Sequence, residues 1–324
     1  MKTIVISGAA GFIGSHLSES FLRKNDHVIG LDNFATGQKS NIDVLRNVGL
    51  NNFTFIEQDV CNSWNDLIPP SSQSTKIKYV FHLASPAAVN QYQQLSLETL
   101  WANSLGLKNA LEFSDKFQAR LIFASTSEIY GSPLSSPQKE SDWGYVNSFG
   151  PRSCYDEAKR FAEALIFEHN RKYKTQHGLV RIFNTYGPRM NPDDGRVVTH
   201  MIRKALREED LVIYGDGLQT RSFCFIDDLI TGLELYADSD ATQPINLGND
   251  KEIKINELAQ LILKLTGSNS KIKHTEALSD DPLQRKPDLS KAYSVIRYQP
   301  KIDIELGLKK MIEYLKVELT NGNE

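Results

Sequence analysis

The seven residues GAAGFIG, 8 to 14, follow directly on the apolar run TIVIS and lead into the helical pattern FIGSHLSESFLR. The three glycines at this spacing, Gly8, Gly11 and Gly14, constrain the chain more than any other feature. Here the backbone must turn sharply, an anionic ligand must approach it closely, and the next helix must pack tightly on the strand; side chains would obstruct all three. A helix beginning near Phe12 adds unpaired N–H groups and the positive end of its dipole. An acidic residue, Asp32, closes the next apolar run, HVIGLD, about 20 residues on, as a dinucleotide-binding unit requires. Its carboxylate can accept both ribose hydroxyls and would repel a 2′-phosphate, so the turn predicts NAD over NADP, with Lys39 the one nearby charge opposing that choice. Asp59, after the third apolar run, is read as an adenine contact, with an exposed turn aspartate as the competing reading.

The rhythm continues through FTFIEQD, YVFHLAS and RLIFAS, each separated from the next by a stretch of helical period. These runs are continuously apolar, the pattern of parallel strands covered on both faces. The expected fold class is therefore α/β, a Rossmann-like doubly wound parallel sheet with a smaller C-terminal substrate-binding domain. Residues 1–183, with a returning segment at about 222–248, are assigned to the dinucleotide domain; 184–221 and 249–324, richer in Gly, Pro, Asp and Arg, form the smaller one. The polar segment SDDPLQRKPDLSKA, 279 to 292, reads as a loop leading towards a last amphipathic helix near 304–318.

At 324 residues with 40% hydrophobic side chains, the chain can bury a large core. Its 37 basic and 40 acidic residues are mixed along the sequence, which leaves no footprint for nucleic acid or an anionic membrane. Cys61, Cys154 and Cys224 are odd in number and lack metal-ligand spacing, so neither a disulfide framework nor a metal site is expected, and a cytoplasmic location fits. The opening MKTIVISG has no cleavable apolar region, and no segment approaches the ~18 apolar residues of a membrane span.

Tyr155 and Lys159 stand four apart in the amphipathic stretch YDEAKRFAEALIFEHN, on one helical face. A neighbouring ammonium favours tyrosinate, so Lys159 is expected to lower the Tyr155 pKa and let it take a hydroxyl proton as hydride leaves the same carbon. Upstream, STSEIYG ends a strand and offers Thr126 and Ser127 to hydrogen-bond that hydroxyl, although hydroxyls in this position often only cap the next turn. Singly these signals are weak; in the order glycine turn, hydroxyl-rich strand end, Tyr155 and Lys159, they point to nicotinamide-dependent oxidation of an alcohol.

Nearly end to end, the chain resembles the extended short-chain dehydrogenase/reductases, and within them the UDP-glucuronate decarboxylases, or UDP-xylose synthases. The resemblance rests on GAAGFIGSHL, LDNFATG, HLASPA, ASTSEIYG, GPRSCYDEAKR, RIFNTYGPRM, DGRVV, QTRSF, NLGN and DDPLQRKPD. It implies a tightly held, recycled NAD, a UDP-sugar substrate and a homodimer. It extends the cofactor set to Phe12, Ile13, Asn33, Phe34, Thr36, Gly37, Val60, Leu83, Ala84 and Ser85. It also implies Glu128 and Arg285 for decarboxylation and reprotonation, and Asn184, Arg189, Val197, Tyr214, Arg221 and Arg285 around the nucleotide sugar. Arginine suits a diphosphate because its planar fork pairs with two oxygens, though Arg189 beside Pro188 could instead buttress a loop.

Three other readings share the cofactor. A 4,6-dehydratase carries an Asp where this chain has Ser127, so the acid needed to expel a hydroxyl is missing. A 4-epimerase has no evident task for Glu128. A binding protein that kept NAD but lost chemistry has no use for Tyr155 and Lys159. The chain also departs from the decarboxylase pattern: TLWAN, 99 to 103, has Trp101 where a basic residue is expected, and ASPAAVNQY, 84 to 92, lacks the prolines expected after ASPA. Both segments are expected to border nicotinamide and sugar, so the departures bear on which sugar binds.

Overall fold

The computed structural model describes residues 1–68, 76–191, 193, 195–276 and 284–321. The first half alternates strand and helix: β1 (Thr3–Ser7), α1 (Phe12–Arg23), β2 (His27–Asp32), α2 (Lys39–Gly49), β3 (Phe53–Glu57) and β4 (Ile77–His82). Next come α3 (Val89–Gln94), α4 (Ser96–Trp101), a π-helical turn (Ala102–Gly106), α5 (Leu107–Lys116), β5 (Arg120–Thr126), α6 (Ser153–Tyr173) and β6 (Gly178–Ile182). The five apolar runs read from sequence are β1 to β5, and helix α1 begins at Phe12 as its glycine turn predicts.

All seven strands of the central sheet run parallel, in the order β11-β6-β5-β4-β1-β2-β3, where β11 is Ile245–Leu247. Alternate residues of each strand serve opposite layers. Ile4, Ile6, Phe81 and Ile122 join Leu17 and Phe21 of α1 in one core, while Val5, Val80, Leu121 and Phe123 meet Leu107 and Leu111 of α5 and Ala162 and Ile166 of α6 in the other. This double coverage is why the strands carry no polar alternation. The order reverses between β1 and β4, which opens a crevice at the carboxyl ends of the strands, the place where such sheets bind ligands.

The remaining chain is more regular than its sequence texture predicts. It forms β7 (Thr185–Tyr186), α7 (Val197–Leu206), β8 (Leu211–Tyr214), β9 (Thr220–Ser222), β10 (Cys224–Phe225) and α8 (Ile226–Ala237), and β11 then returns to the main sheet. After it come β12 (Glu252–Lys254), α9 (Ile255–Thr266), β13 (Ile272–Thr275), β14 (Gln284–Arg285), α10 (Ser290–Ile296) and α11 (Ile304–Asn321). Of the segment 279 to 292 read as a loop, residues 279–283 lie outside the described residues. The rest corrects that reading: β14 pairs in parallel with β9, setting Arg285 beside Arg221, and α10 starts at Ser290. The strand is two residues long and the helix seven, too short for periodicity to reveal either.

Two glycines of the turn have no tolerance for a side chain. Gly8 has φ +76°, and a Cβ at Gly14 would lie 2.0 Å from the Gly8 carbonyl oxygen. Gly14→Ala must therefore push α1 off β1. It is expected to lower stability by about 1–3 kcal/mol, the usual cost of overpacking, and to weaken dinucleotide binding; denaturant unfolding and cofactor titration measure the two effects.

Candidate active site

The ends of β1, β4 and β5, the first turns of α1 and α6, and the segments around β7, β9 and β14 enclose one cavity of about 930 Å³. Every residue expected from sequence to act in catalysis lines it: Thr126, Ser127, Glu128, Tyr155, Lys159 and Arg285. So does each expected sugar-nucleotide residue: Asn184, Arg189, Val197, Tyr214 and Arg221. From the cofactor set, Gly8, Gly11, Phe12, Ile13, Gly14, Thr36, Leu83 and Ser85 line the wall, whereas Asp32, Asn33, Phe34, Gly37, Asp59, Val60 and Ala84 do not.

Residues behind the wall hold it in shape. Asp32 Oδ2 accepts the Ala10 N–H at 3.0 Å and Oδ1 accepts the Phe34 N–H at 2.8 Å, so the carboxylate ties the glycine turn to the loop after β2. Burial pushes the Asp32 pKa up, and the N–H groups of Phe34, Ala10 and Asn33 oppose it. The carboxylate keeps acceptor capacity beyond these bonds, which fits the expected ribose contact. Gly37 packs on Ala10 and Asp32. Asp59 accepts from the Cys61 N–H at 2.8 Å and from Asn33 Nδ2 at 2.9 Å, holding two loops together. The side chain of His82 is fixed by Ser7 Oγ at 2.9 Å and by the carbonyl of Ala102, in the π-turn, at 2.9 Å, and so sets the path of Leu83 to Ser85. Burial draws its pKa down to about 4, leaving it neutral.

Tyr155 and Lys159 share a face of α6, as their spacing predicts, but the electrostatics differ from the expectation. Lys159 Nζ donates to the Ala124 carbonyl at 2.8 Å and lies 5.6 Å from the centre of the Tyr155 ring. Burial draws Lys159 down to about 7, with Glu163 opposing. Tyr155 is raised, not lowered: burial dominates, and the Thr126 hydroxyl, Arg196 and Arg152 oppose it. Spacing shows which groups meet, but the dehydration of both is a tertiary effect that it does not carry. Thr126 Oγ1 also accepts the Glu128 N–H at 3.2 Å, which links the strand end to the tyrosine.

Glu128 sits in the turn after β5 and is held by two guanidiniums, those of Arg152 and Arg285. All three are half-buried, with side-chain exposures of 16% for Glu128, 29% for Arg152 and 11% for Arg285. Burial draws Arg285 down to about 10. Arg152 was not singled out from sequence; its place one helical turn before Tyr155, on the same face, was the available signal. Tyr92 was also missed. It stacks on Tyr155 with centroids 4.9 Å apart and planes 8° from parallel, and its buried hydroxyl has no hydrogen-bond partner among the described residues.

Two expectations change. Trp101 does not border the cavity: it is 55% exposed on the outer face of α4. Residues 87–91, by contrast, do line the wall. Arg189 donates to Glu19 at 2.5 Å and to His16 Nδ1 at 2.7 Å, so it ties its loop to α1, and the buttress reading describes these contacts. Far from the cavity residues, Asp115, His169 and His177 bring metal-ligand atoms together. There His177 Nδ1 accepts the Leu121 N–H at 3.1 Å, so Nε2 carries the proton and donates it to Asp115 at 3.1 Å.

Because Lys159 is drawn down in the folded state, it holds its proton more tightly in the unfolded chain between about pH 7 and 10, and its contribution to stability rises with pH through that window. Lys159→Met is expected to remove this rise. The wild-type minus variant difference in unfolding free energy should climb by at most about 1.4 kcal/mol per pH unit there and be flat below it, as denaturant titrations at several pH values would read.

The comparisons with known proteins agree with this geometry. The model of the NAD dependent epimerase/dehydratase family matches residues 4–248. UDP-glucuronic acid decarboxylase 5 of Arabidopsis thaliana is 43% identical over 98% of this chain and 90% of its own length. UDP-glucuronic acid decarboxylase 1 of Xenopus tropicalis is 41% identical over 98% of this chain and 73% of its own. A crystal structure of UDP-glucuronic acid 4-epimerase from Bacillus cereus, in complex with UDP-glucuronic acid and NAD, superposes with a TM-score of 0.84 at 28% identity over 98% of this chain and 99% of that one. Glycine turn, sheet order, Tyr155, Lys159 and these matches together place the chain in the NAD dependent epimerase/dehydratase family.

Proposed function

We propose that this chain decarboxylates UDP-glucuronate to UDP-xylose through a 4-keto intermediate, with NAD recycled inside the site. The observation that carries the reading is Glu128 held between Arg152 and Arg285, in the same cavity as Tyr155. The kinship with UDP-glucuronic acid decarboxylases supports it.

The side-chain-free turn at Gly8 and Gly14, the start of α1 and the Asp32 carboxylate fit a dinucleotide. When bound, NAD accepts and later returns the hydrogen of sugar C4. Tyr155 takes the C4 hydroxyl proton; the Thr126 hydroxyl and the nearby positive charges of Arg152 and Arg196 offset part of the cost of a buried phenolate. Lys159, held on the Ala124 carbonyl, lies 5.6 Å from the centre of the Tyr155 ring, where its charge, when it is protonated, favours the phenolate. The resulting ketone is β to the C5 carboxylate, so CO2 leaves with its electrons received by the carbonyl as an enolate. Arg285 pairs with the carboxylate end, and Glu128, kept ionised by Arg152 and Arg285, orients the solvent molecule whose proton C5 then takes. Asn184, Tyr214, Arg221 and Val197 hold the nucleotide sugar, and Ser127 orients it. In this reading residues 1–183 and about 222–248 serve the cofactor, and 184–221 with 249–324 the sugar nucleotide. A 4-epimerase is the second reading, favoured by the UDP-glucuronic acid 4-epimerase fold match.

We place the enzyme in the cytoplasm as a homodimer. All three cysteines are free, and no described helix is long and apolar enough to cross a membrane. Leu97, Trp101 and Leu105 on the outer face of α4 and the π-turn, with Phe161 on the adjoining α6, expose an apolar surface that a second copy would cover.

Incubation with UDP-glucuronate and NAD is expected to yield CO2 and a pentose nucleotide; conversion to UDP-galacturonate without loss of CO2 would establish the epimerase instead. Glu128→Gln is expected to slow CO2 release by about 100-fold while substrate affinity changes little, on the scale of a lost acid-base group. Trp101→Glu is expected to weaken the dimer by about 2 kcal/mol or more, visible in sedimentation as a shift to monomer at low concentration.

A further inference from the structure

Arg285 lies on a two-residue strand that nothing in its own sequence would hold in place, so its position must be set from elsewhere. On one side, β14 pairs with β9. On the other stands Gln138, only 1% exposed, in the segment between β5 and α6. Its backbone N–H donates to the Lys286 carbonyl at 2.8 Å, its side-chain Oε1 accepts the Lys286 N–H at 2.8 Å, and its carbonyl accepts the Asp288 N–H at 2.8 Å. The side-chain Nε2 is anchored on the Ser135 carbonyl at 2.9 Å. The clamp itself is built in. Asn246 donates to the Gln138 carbonyl at 3.0 Å and accepts from the Tyr130 hydroxyl at 2.7 Å; that hydroxyl accepts from Arg181 at 2.9 Å, and Arg181 pairs with Glu163 at 2.7 Å, one turn beyond Lys159 on α6. Asn246, Tyr130 and Arg181 are all buried, where each unmade bond is costly.

We propose that Gln138 is a positioning residue for the carboxylate end of the site: it fixes the 285–288 strap, and with it the guanidinium of Arg285 against Glu128, without touching substrate. The proposal rests on the decarboxylase reading of this site. Its consequence is a split between steps. Tyr155 and Lys159 are held by α6 and the Ala124 carbonyl, so loosening the strap leaves oxidation at C4 intact and impairs the loss of CO2 from the ketone.

The test is Gln138→Met, which keeps the volume but removes the side-chain acceptor for Lys286. In the whole enzyme with NAD and UDP-glucuronate, CO2 release is expected to fall about 10- to 100-fold, the cost of a small misplacement, while NADH appears at close to the wild-type rate and accumulates. Hydrogen exchange of the Lys286 and Asp288 amides, read without substrate, is expected to accelerate. Gln138→Glu is the rescue. Burial keeps its carboxyl protonated, so it donates to Ser135 and accepts from Lys286, and both exchange and CO2 release should return to near wild type. It also serves as the test if Gln138→Met fails to fold: Gln138→Glu with a strap as protected as the wild type's but slow CO2 release would overturn the proposal. Unchanged amide exchange in Gln138→Met, or equal slowing of NADH formation and CO2 release, would overturn it as well. A wild-type enzyme that releases no CO2 would defeat the decarboxylase reading, while the amide exchange still reports on the clamp.

Discussion

The contact on which the site depends is the close packing of the first turn of α1 against the Gly8 carbonyl, where a Cβ at Gly14 has no room. It joins helix to strand at the carboxyl end of β1, beside the point where the sheet reverses direction between β1 and β4. Once that junction is fixed, the ends of β4 and β5 fall at set distances from it, because parallel pairing registers Ser7 with His82 and Phe81 with Ile122. Leu83 to Ser85 and Thr126 to Glu128 are the continuations of those strands, so backbone pairing places the chemistry before any side chain is chosen.

Burial governs the charges of the site as much as pairing does. Lys159, Tyr155, His82 and Arg285 are each shifted towards their neutral forms, with desolvation as the leading cause. In water such shifts would not exist; inside the site they move Lys159 down and Tyr155 up, so a charge on either costs desolvation that the surrounding groups must offset. Glu128 is met by two guanidiniums, a pairing that keeps a carboxylate in a place where a lone one would be neutralised.

Sequence displayed what depends on local pattern. β1 to β5, the start of α1, and Tyr155 with Lys159 on one face of α6 follow from periodicity, glycine placement and spacing of four. It hid what depends on contacts distant in the chain. Arg152 is one turn from Tyr155, but its partner Glu128 is 24 residues away; Tyr92 is stacked on Tyr155 from a different helix. Trp101, placed beside the sugar by its neighbours in sequence, faces outward because the helix carrying it turns that position away from the sheet. Arg189 has the chemistry for phosphate, but α1 supplies Glu19 and His16 first.

These two kinds of residue fall into the two halves of the proposed reaction. Oxidation at C4 needs groups that strand ends and one helix supply, and these are set by local pattern and backbone pairing. Loss of CO2 needs Arg285 brought to Glu128 across 157 residues of chain, and that distance is closed by β9 together with Gln138 and Asn246, two amides that need not touch the sugar. The second step is therefore a matter of contacts between the two halves, since Glu128, Gln138 and Asn246 belong to the Rossmann half and Arg285 to the other. In the proposed reaction the outcome turns on the 285–288 strap and on the buried amides of Gln138 and Asn246 that hold it.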